Sequence, residues 1–217
     1  IGGDQIYFVE NRTPKVLQDK SRRLSGGKEW MALHLVALDV KTGKPVWEKG
    51  MQFEQRTPVF FSTYKEDILM LLRSSTKSFD LRAIDAKSGK LMWDREHGWE
   101  NDNHGAHRRH PVIMGDVVYQ QPRAYDLKTG EEKWSTSKVG VGGNCGTLSA
   151  SSTMLFSRLS DYPGFIDLGK GMNKENLVEI TRPGCWINII PVGGMVLVPE
   201  AGSGCSCEYS IHASKGF

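Results

Sequence analysis

Val36-Ala37-Leu38-Asp39-Val40-Lys41-Thr42-Gly43-Lys44-Pro45-Val46-Trp47 is a stretch that this 217-residue chain uses three times. It returns as Arg82-Ala83-Ile84-Asp85-Ala86-Lys87-Ser88-Gly89-Lys90-Leu91-Met92-Trp93. It returns again as Arg123-Ala124-Tyr125-Asp126-Leu127-Lys128-Thr129-Gly130-Glu131-Glu132-Lys133-Trp134. The copies align without a gap. Each keeps an aspartate, then a threonine or serine, a glycine and a tryptophan at the same spacing. A degenerate fourth copy, Phe165-Ile166-Asp167-Leu168, keeps the aspartate and loses the tryptophan. The aspartates step by 46 (39 to 85), 41 (85 to 126) and 41 (126 to 167) residues. Repeats of about 40–50 residues are the lengths of propeller blades.

The motif carries its own physical logic. Apolar residues alternate before the aspartate, the pattern of a half-buried strand. The carboxylate can accept from backbone amides two or three residues on, as in an Asx-turn, and the Thr or Ser hydroxyl adds a second local bond. Gly43, Gly89 and Gly130 supply the positive φ of a tight hairpin. Trp47, Trp93 and Trp134 then offer a large apolar surface with one N–H donor, suited to wedging between neighbouring sheets. A second periodic element reads as turn then strand: Gly3-Asp4-Gln5-Ile6-Tyr7-Phe8, Glu66-Asp67-Ile68-Leu69-Met70-Leu71, Gly115-Asp116-Val117-Val118-Tyr119, Ser152-Thr153-Met154-Leu155-Phe156 and Gly193-Gly194-Met195-Val196-Leu197-Val198. Each unit is therefore expected to be a four-stranded antiparallel blade. The expectation for 1–217 is one all-β partial propeller domain of about four and a half blades, at roughly 1–50, 51–97, 108–138, 145–180 and 185–217. The segments at roughly 10–34 and 94–110 read as insertions.

Composition narrows the function classes. The net charge of +3 is mild and the basic residues are scattered, which argues against nucleic acid as a partner. Charged content of 24%, hydrophobic content of 39% and a mean hydropathy of −0.40 are ordinary for a soluble globular protein. No run approaches the roughly 18 apolar residues of a membrane-spanning helix. The chain begins in what reads as mid-strand and without an initiator Met, as a piece of a longer polypeptide would.

The pattern Ala-Leu-Asp-x-x-Thr-Gly-x-x-x-Trp at 37–47 resembles the tryptophan-docking motif of pyrroloquinoline-quinone (PQQ) repeat proteins. That motif occurs in PQQ-dependent alcohol dehydrogenases and in the non-enzymatic lipoprotein of the outer-membrane β-barrel assembly machinery. The stretches Gly143–Ser151, Arg182–Asn188 and Gly204–Cys207 are similar to large, poorly characterised bacterial PQQ-like chains. The resemblance implies a propeller and a periplasmic or cell-surface location. It assigns Asp39, Gly43, Trp47, Asp85, Gly89, Trp93, Asp126, Gly130 and Trp134 to holding blades together. It does not extend to activity. Quinoprotein dehydrogenases carry adjacent cysteines, an aspartate base beside calcium and a tryptophan stacked on the quinone, and no residue here matches them. The cofactor is unknown, and the residues present do not support PQQ.

Aligning the repeats places Thr57, His110, Cys145 and Cys185 at equivalent inner-strand starts, which ring one mouth of a propeller channel. His110, Cys145, Cys185 and Trp186 are thus candidates for a binding site there. Cys205 and Cys207 fall on one face of a strand. With Cys145, Cys185, His104, His107 and His110 they form a candidate soft metal or haem site. Disulfides, inert buried thiols and a nucleophilic cysteine stay open beside it. Four of the six histidines sit in the loop 96–110, which also reads as an ordinary polar surface loop. Two functional readings follow. One is a non-catalytic module that binds a protein partner or small ligand through its channel mouth. The other is a quinoprotein-like, metal- or haem-dependent oxidoreductase with its site at the same mouth.

Overall fold

In the computed structural model, the described residues are 1–21, 29, 32–51, 59–75, 77–99, 108–135, 146–159, 162–170, 173–179, 183–187, 189–200 and 214–217. The fold is an all-β propeller type assembled from successive antiparallel sheets. The chain divides into two compact units, Ile1–His97 and Gly98–Phe217.

The first unit holds two sheets. The first contains β1 (Gln5–Asn11), β2 (Leu33–Asp39) and β3 (Pro45–Met51), in that order. One short helix, α1 (Pro14–Gln18), lies between β1 and β2, with proline in its first turn, where a missing N–H does no harm. The second sheet contains β4 (Val59–Lys65), β5 (Ile68–Ser74), β6 (Ser78–Asp85) and β7 (Leu91–Gly98).

The second unit holds three sheets. One contains β8 (Val112–Met114), β9 (Val117–Gln120), β10 (Arg123–Asp126) and β11 (Glu132–Ser135). The next contains β12 (Ser149–Ala150), β13 (Met154–Leu159), β14 (Tyr162–Asp167) and β15 (Asn173–Asn176). The last contains β16 (Ile190–Val192), β17 (Met195–Val198) and β18 (Lys215–Gly216). Among the described residues, the first and last sheets carry three strands and the middle three carry four.

The repeated turn is built in the same way each time. Asp39 Oδ1 accepts from the Thr42 amide at 2.7 Å and from the Thr42 hydroxyl at 2.7 Å, and Asp85 Oδ1 accepts from Ser88 N and Oγ at 2.7 and 2.6 Å. Asp126 Oδ1 accepts from the amides of Lys128 and Thr129 at 3.0 and 2.9 Å. In the degenerate copy Asp167 still caps two amides, those of Gly169 and Lys170. Gly43, Gly89 and Gly130 stand at φ of 66°, 69° and 68°, a region that side chains disfavour. These bonds hold the carboxylates low: the Thr42 hydroxyl and amide do so for Asp39, and the Ser88 pair for Asp85. The Thr129 amide and the Lys133 ammonium bring Asp126 down to about 2.

A second bond ties each turn to its neighbour. The residue after the aspartate donates its amide to a carbonyl in the preceding hairpin turn: Val40 to Asp4, Ala86 to Asp67, Leu127 to Asp116 and Leu168 to Thr153. The two periodic elements of the sequence therefore meet in space four times.

Within each unit the sheets face each other through apolar layers. Between the first two sheets lie Leu33, Leu35, Met51, Leu69, Leu71 and Ile84, with Tyr7, Trp47 and Tyr64 packed against them. The Trp47 indole donates to the Ala86 carbonyl of the second sheet at 2.8 Å, and the Tyr7 hydroxyl reaches the same oxygen at 3.3 Å. In the second unit Tyr119 and Trp134 of one sheet pack with Leu148, Leu155 and Ile166 of the next, their rings 5.7 Å apart. Phe156, Ile189 and Val198 fill the following layer.

Candidate functional site

The strand starts set where the candidate residues fall. β4 begins at Val59 and β8 at Val112, each two residues past Thr57 and His110. β12 begins at Ser149 and β16 at Ile190, four residues past Cys145 and five past Cys185. The two cysteines therefore lie farther ahead of their strands in sequence than His110 does.

In the second unit two of these approach segments come together. Ahead of β8 runs Arg108-Arg109-His110, with Arg108 exposed, Arg109 buried and His110 half-buried. His110 Nδ1 lies 3.4 Å from the Pro111 carbonyl oxygen. Ahead of β16 the chain makes a tight turn in which the Ile187 amide donates to the Gly184 carbonyl. The Gly184 amide is anchored in turn to the Pro199 carbonyl at 2.9 Å. Cys185 and Trp186 occupy the two central positions of that turn. Trp186 takes φ of 60°, where a type II turn ordinarily requires glycine. Holding a bulky residue there costs about 1–3 kcal/mol and persists only where the surroundings enforce it.

Opposite the Trp186 ring stands Arg108. Its guanidinium carbon is 5.7 Å from the indole centroid, within range of a cation–π attraction worth about 0.5–1 kcal/mol at an exposed site. The indole is half-buried and the arginine exposed, so a forked cation stands at the surface over a partly covered indole. Cys185 is half-buried. Thr57, His104, His107, Cys145, Cys205 and Cys207 lie outside the described residues. In the sequence Arg108 reads only as part of the polar loop 96–110. Its signal is its place two residues before His110.

Among the described residues, no three His, Cys, Asp or Glu side chains converge as metal ligands. Among the described residues, Arg108, His110, Cys185 and Trp186 bring no carboxylate to this place, so by themselves they do not fit the calcium-and-quinone arrangement of quinoprotein dehydrogenases. Among the described residues no helix is long and apolar enough to cross a membrane.

Residues 25–143 match a family model described as outer membrane protein assembly factor BamB. No curated protein sequence matches the chain. Among solved structures, BamB from Moraxella catarrhalis is similar over 76% of this chain and 48% of its own, at 16% identity and a TM-score of 0.52. A europium-containing methanol dehydrogenase is similar over 76% of this chain and 48% of its own, at 13% identity and a TM-score of 0.46. The chain thus spans about half the length of these structures.

Proposed function

The chain belongs to the PQQ-like repeat family described by BamB, and from that premise we propose that it is a non-catalytic propeller module that engages a protein partner. The contact is made through the mouth formed by Arg108, His110, Cys185 and Trp186. The observation that carries this reading is the Trp186 indole held at positive φ under the Arg108 guanidinium. Tryptophan and arginine are the residue types that dominate the energetics of protein interfaces. A strained, anchored turn presents the tryptophan with little ordering left to be done on binding. The family premise supports a periplasmic or cell-surface setting. The aspartates, glycines and tryptophans of the repeated turn serve in this reading as the frame that keeps the mouth in shape.

A second reading is favoured by one specific observation: a cysteine and a histidine, Cys185 and His110, sit on the same pair of approach segments. A quinoprotein-like or metal- or haem-dependent oxidoreductase would use His110 and Cys185 there. The two readings separate on the full-length protein. A photo-reactive amino acid is placed at position 108 and, as a control, at the exposed Lys128 of a turn. Protein adducts that form at 108 and not at 128 support the binding module. Stoichiometric quinone, haem or metal in the purified protein, lost on Cys185→Ala, would replace it with the oxidoreductase.

A further inference from the structure

A cleft of about 520 Å3 opens between the two sheets of the first unit. The volume lies within the range of pockets that take small organic ligands, about 300–1,000 Å3. Its floor is aliphatic, made by Leu35, Leu71 and Ile84, with Leu91 at the lip, where it stays 56% exposed. Lys49 and Lys90 stand on the two sides, both exposed, and neither ammonium enters an ion pair among the described residues. Arg82 lines the cleft as well. It shares the Asp80 carboxylate with Arg73, at 3.1 and 2.6 Å. Among the described residues no carboxylate lines the cleft.

Two uncommitted cations over an aliphatic floor have a complementary chemistry. We propose that this cleft binds a single-chain anionic amphiphile, a free long-chain carboxylate, with its tail along the leucine and isoleucine floor and its head between Lys49 and Lys90. Lysine is well suited to such a head group. Its flexible stem covers apolar surface while the ammonium stays at the water boundary. The same arrangement disfavours a neutral chain of equal length, which would leave the cations with no partner, and a cationic one, which they would repel. This site lies in the first unit and uses none of the residues assigned to the partner-binding mouth, so the two fail or stand separately.

The test is a fluorescence titration of the full-length protein with 11-(dansylamino)undecanoate, followed by displacement with dodecanoate. The expected result is saturable one-to-one binding with a dissociation constant of about 1–100 µM. Dodecanol should compete at least about tenfold more weakly, because it lacks the charge-assisted contact. Lys49→Glu with Lys90→Glu should weaken the probe by at least about tenfold, as should Leu91→Asp, whereas Lys49→Arg with Lys90→Arg should stay within about threefold. All these positions are exposed, so the thermal melt should hold. Unsaturable binding would overturn the proposal, and so would equal displacement by dodecanol or equal affinity in the charge-reversed variant. Binding to phosphatidylglycerol vesicles with none to dodecanoate would overturn it as well.

Discussion

Replacing Gly89 with alanine tests how the first two sheets are joined. Gly89 stands at φ of 69°, and a Cβ built there would lie 2.7 Å from both Cδ2 and Cε3 of Trp47. Gly43 occupies the equivalent turn at φ of 66°, with nothing within 4 Å of its Cβ position. Both substitutions force alanine into the left-handed region, a penalty of about 1–2 kcal/mol. Only Gly89→Ala also pushes the indole away from its seat. The Trp47 indole donates to Ala86 at 2.8 Å, and disturbing that bond and its packing adds about 1–3 kcal/mol. The expected losses are thus about 1–2 kcal/mol for Gly43→Ala and about 2–5 kcal/mol for Gly89→Ala. Urea unfolding of the full-length protein, read by tryptophan fluorescence and compared at the midpoints, measures the difference. Equal losses in the two variants would refute the claim that Gly89 is a seat for the neighbouring sheet's tryptophan.

Other outcomes follow from the same geometry. Trp186→Gly should unfold at a higher temperature than Trp186→Ala, because glycine relieves a positive φ that alanine keeps; melts in the reverse order would remove backbone strain from the account. The Gln120 side chain is fully buried, and neither polar end of its amide has a hydrogen-bond partner among the described residues. Gln120→Met should therefore stabilise by about 1–2 kcal/mol in denaturant titration, and a loss would show that the amide is satisfied in solution. Asp126 is held down to about 2, chiefly by the Thr129 amide. It contributes stability that is complete above its unfolded value near 3.9 and is lost as pH falls toward 2; Asp126→Asn should flatten this part of the acid melt. Tyr7 is pushed up to about 12, first by burial and then by Tyr64. Its contribution is complete below pH of about 10 and fades as pH rises through 12, so Tyr7→Phe should flatten the alkaline limb.

The repeat was readable because its chemistry is local. Asp39, Thr42 and Gly43 close their turn with bonds that span two to four residues, so spacing along the chain is enough to reveal it. The copy at Asp167 survived the loss of its tryptophan for the same reason, since its amide caps need no partner from elsewhere. What lies between turns obeyed no such rule. His110 sits two residues before its strand and Cys185 five before its own, because each approach segment has its own length. Counting from an aspartate cannot register a variable loop. The pairing of Arg108 with Trp186 joins residues 78 positions apart (108 to 186), and no local pattern encodes it. Nor does the composition of Pro183-Gly184-Cys185-Trp186 announce that the tryptophan, rather than the glycine, takes the left-handed position.

The carbonyl of Ala86 receives both the Trp47 indole and the Tyr7 hydroxyl. Every residue except proline offers the same pair of main-chain groups, so a sheet that receives its neighbour through a carbonyl imposes almost no vocabulary on the receiving side. At this joint the plug is spelled in side chains and the socket in backbone, with only a small residue at 86 and a glycine at 89 required to keep the socket open. Such an asymmetric coupling lets one repeat be copied, lengthened or diversified without renegotiating the joint. At this joint, the step of 46 residues between the first two repeats can change in its loops without touching either the plug or the socket.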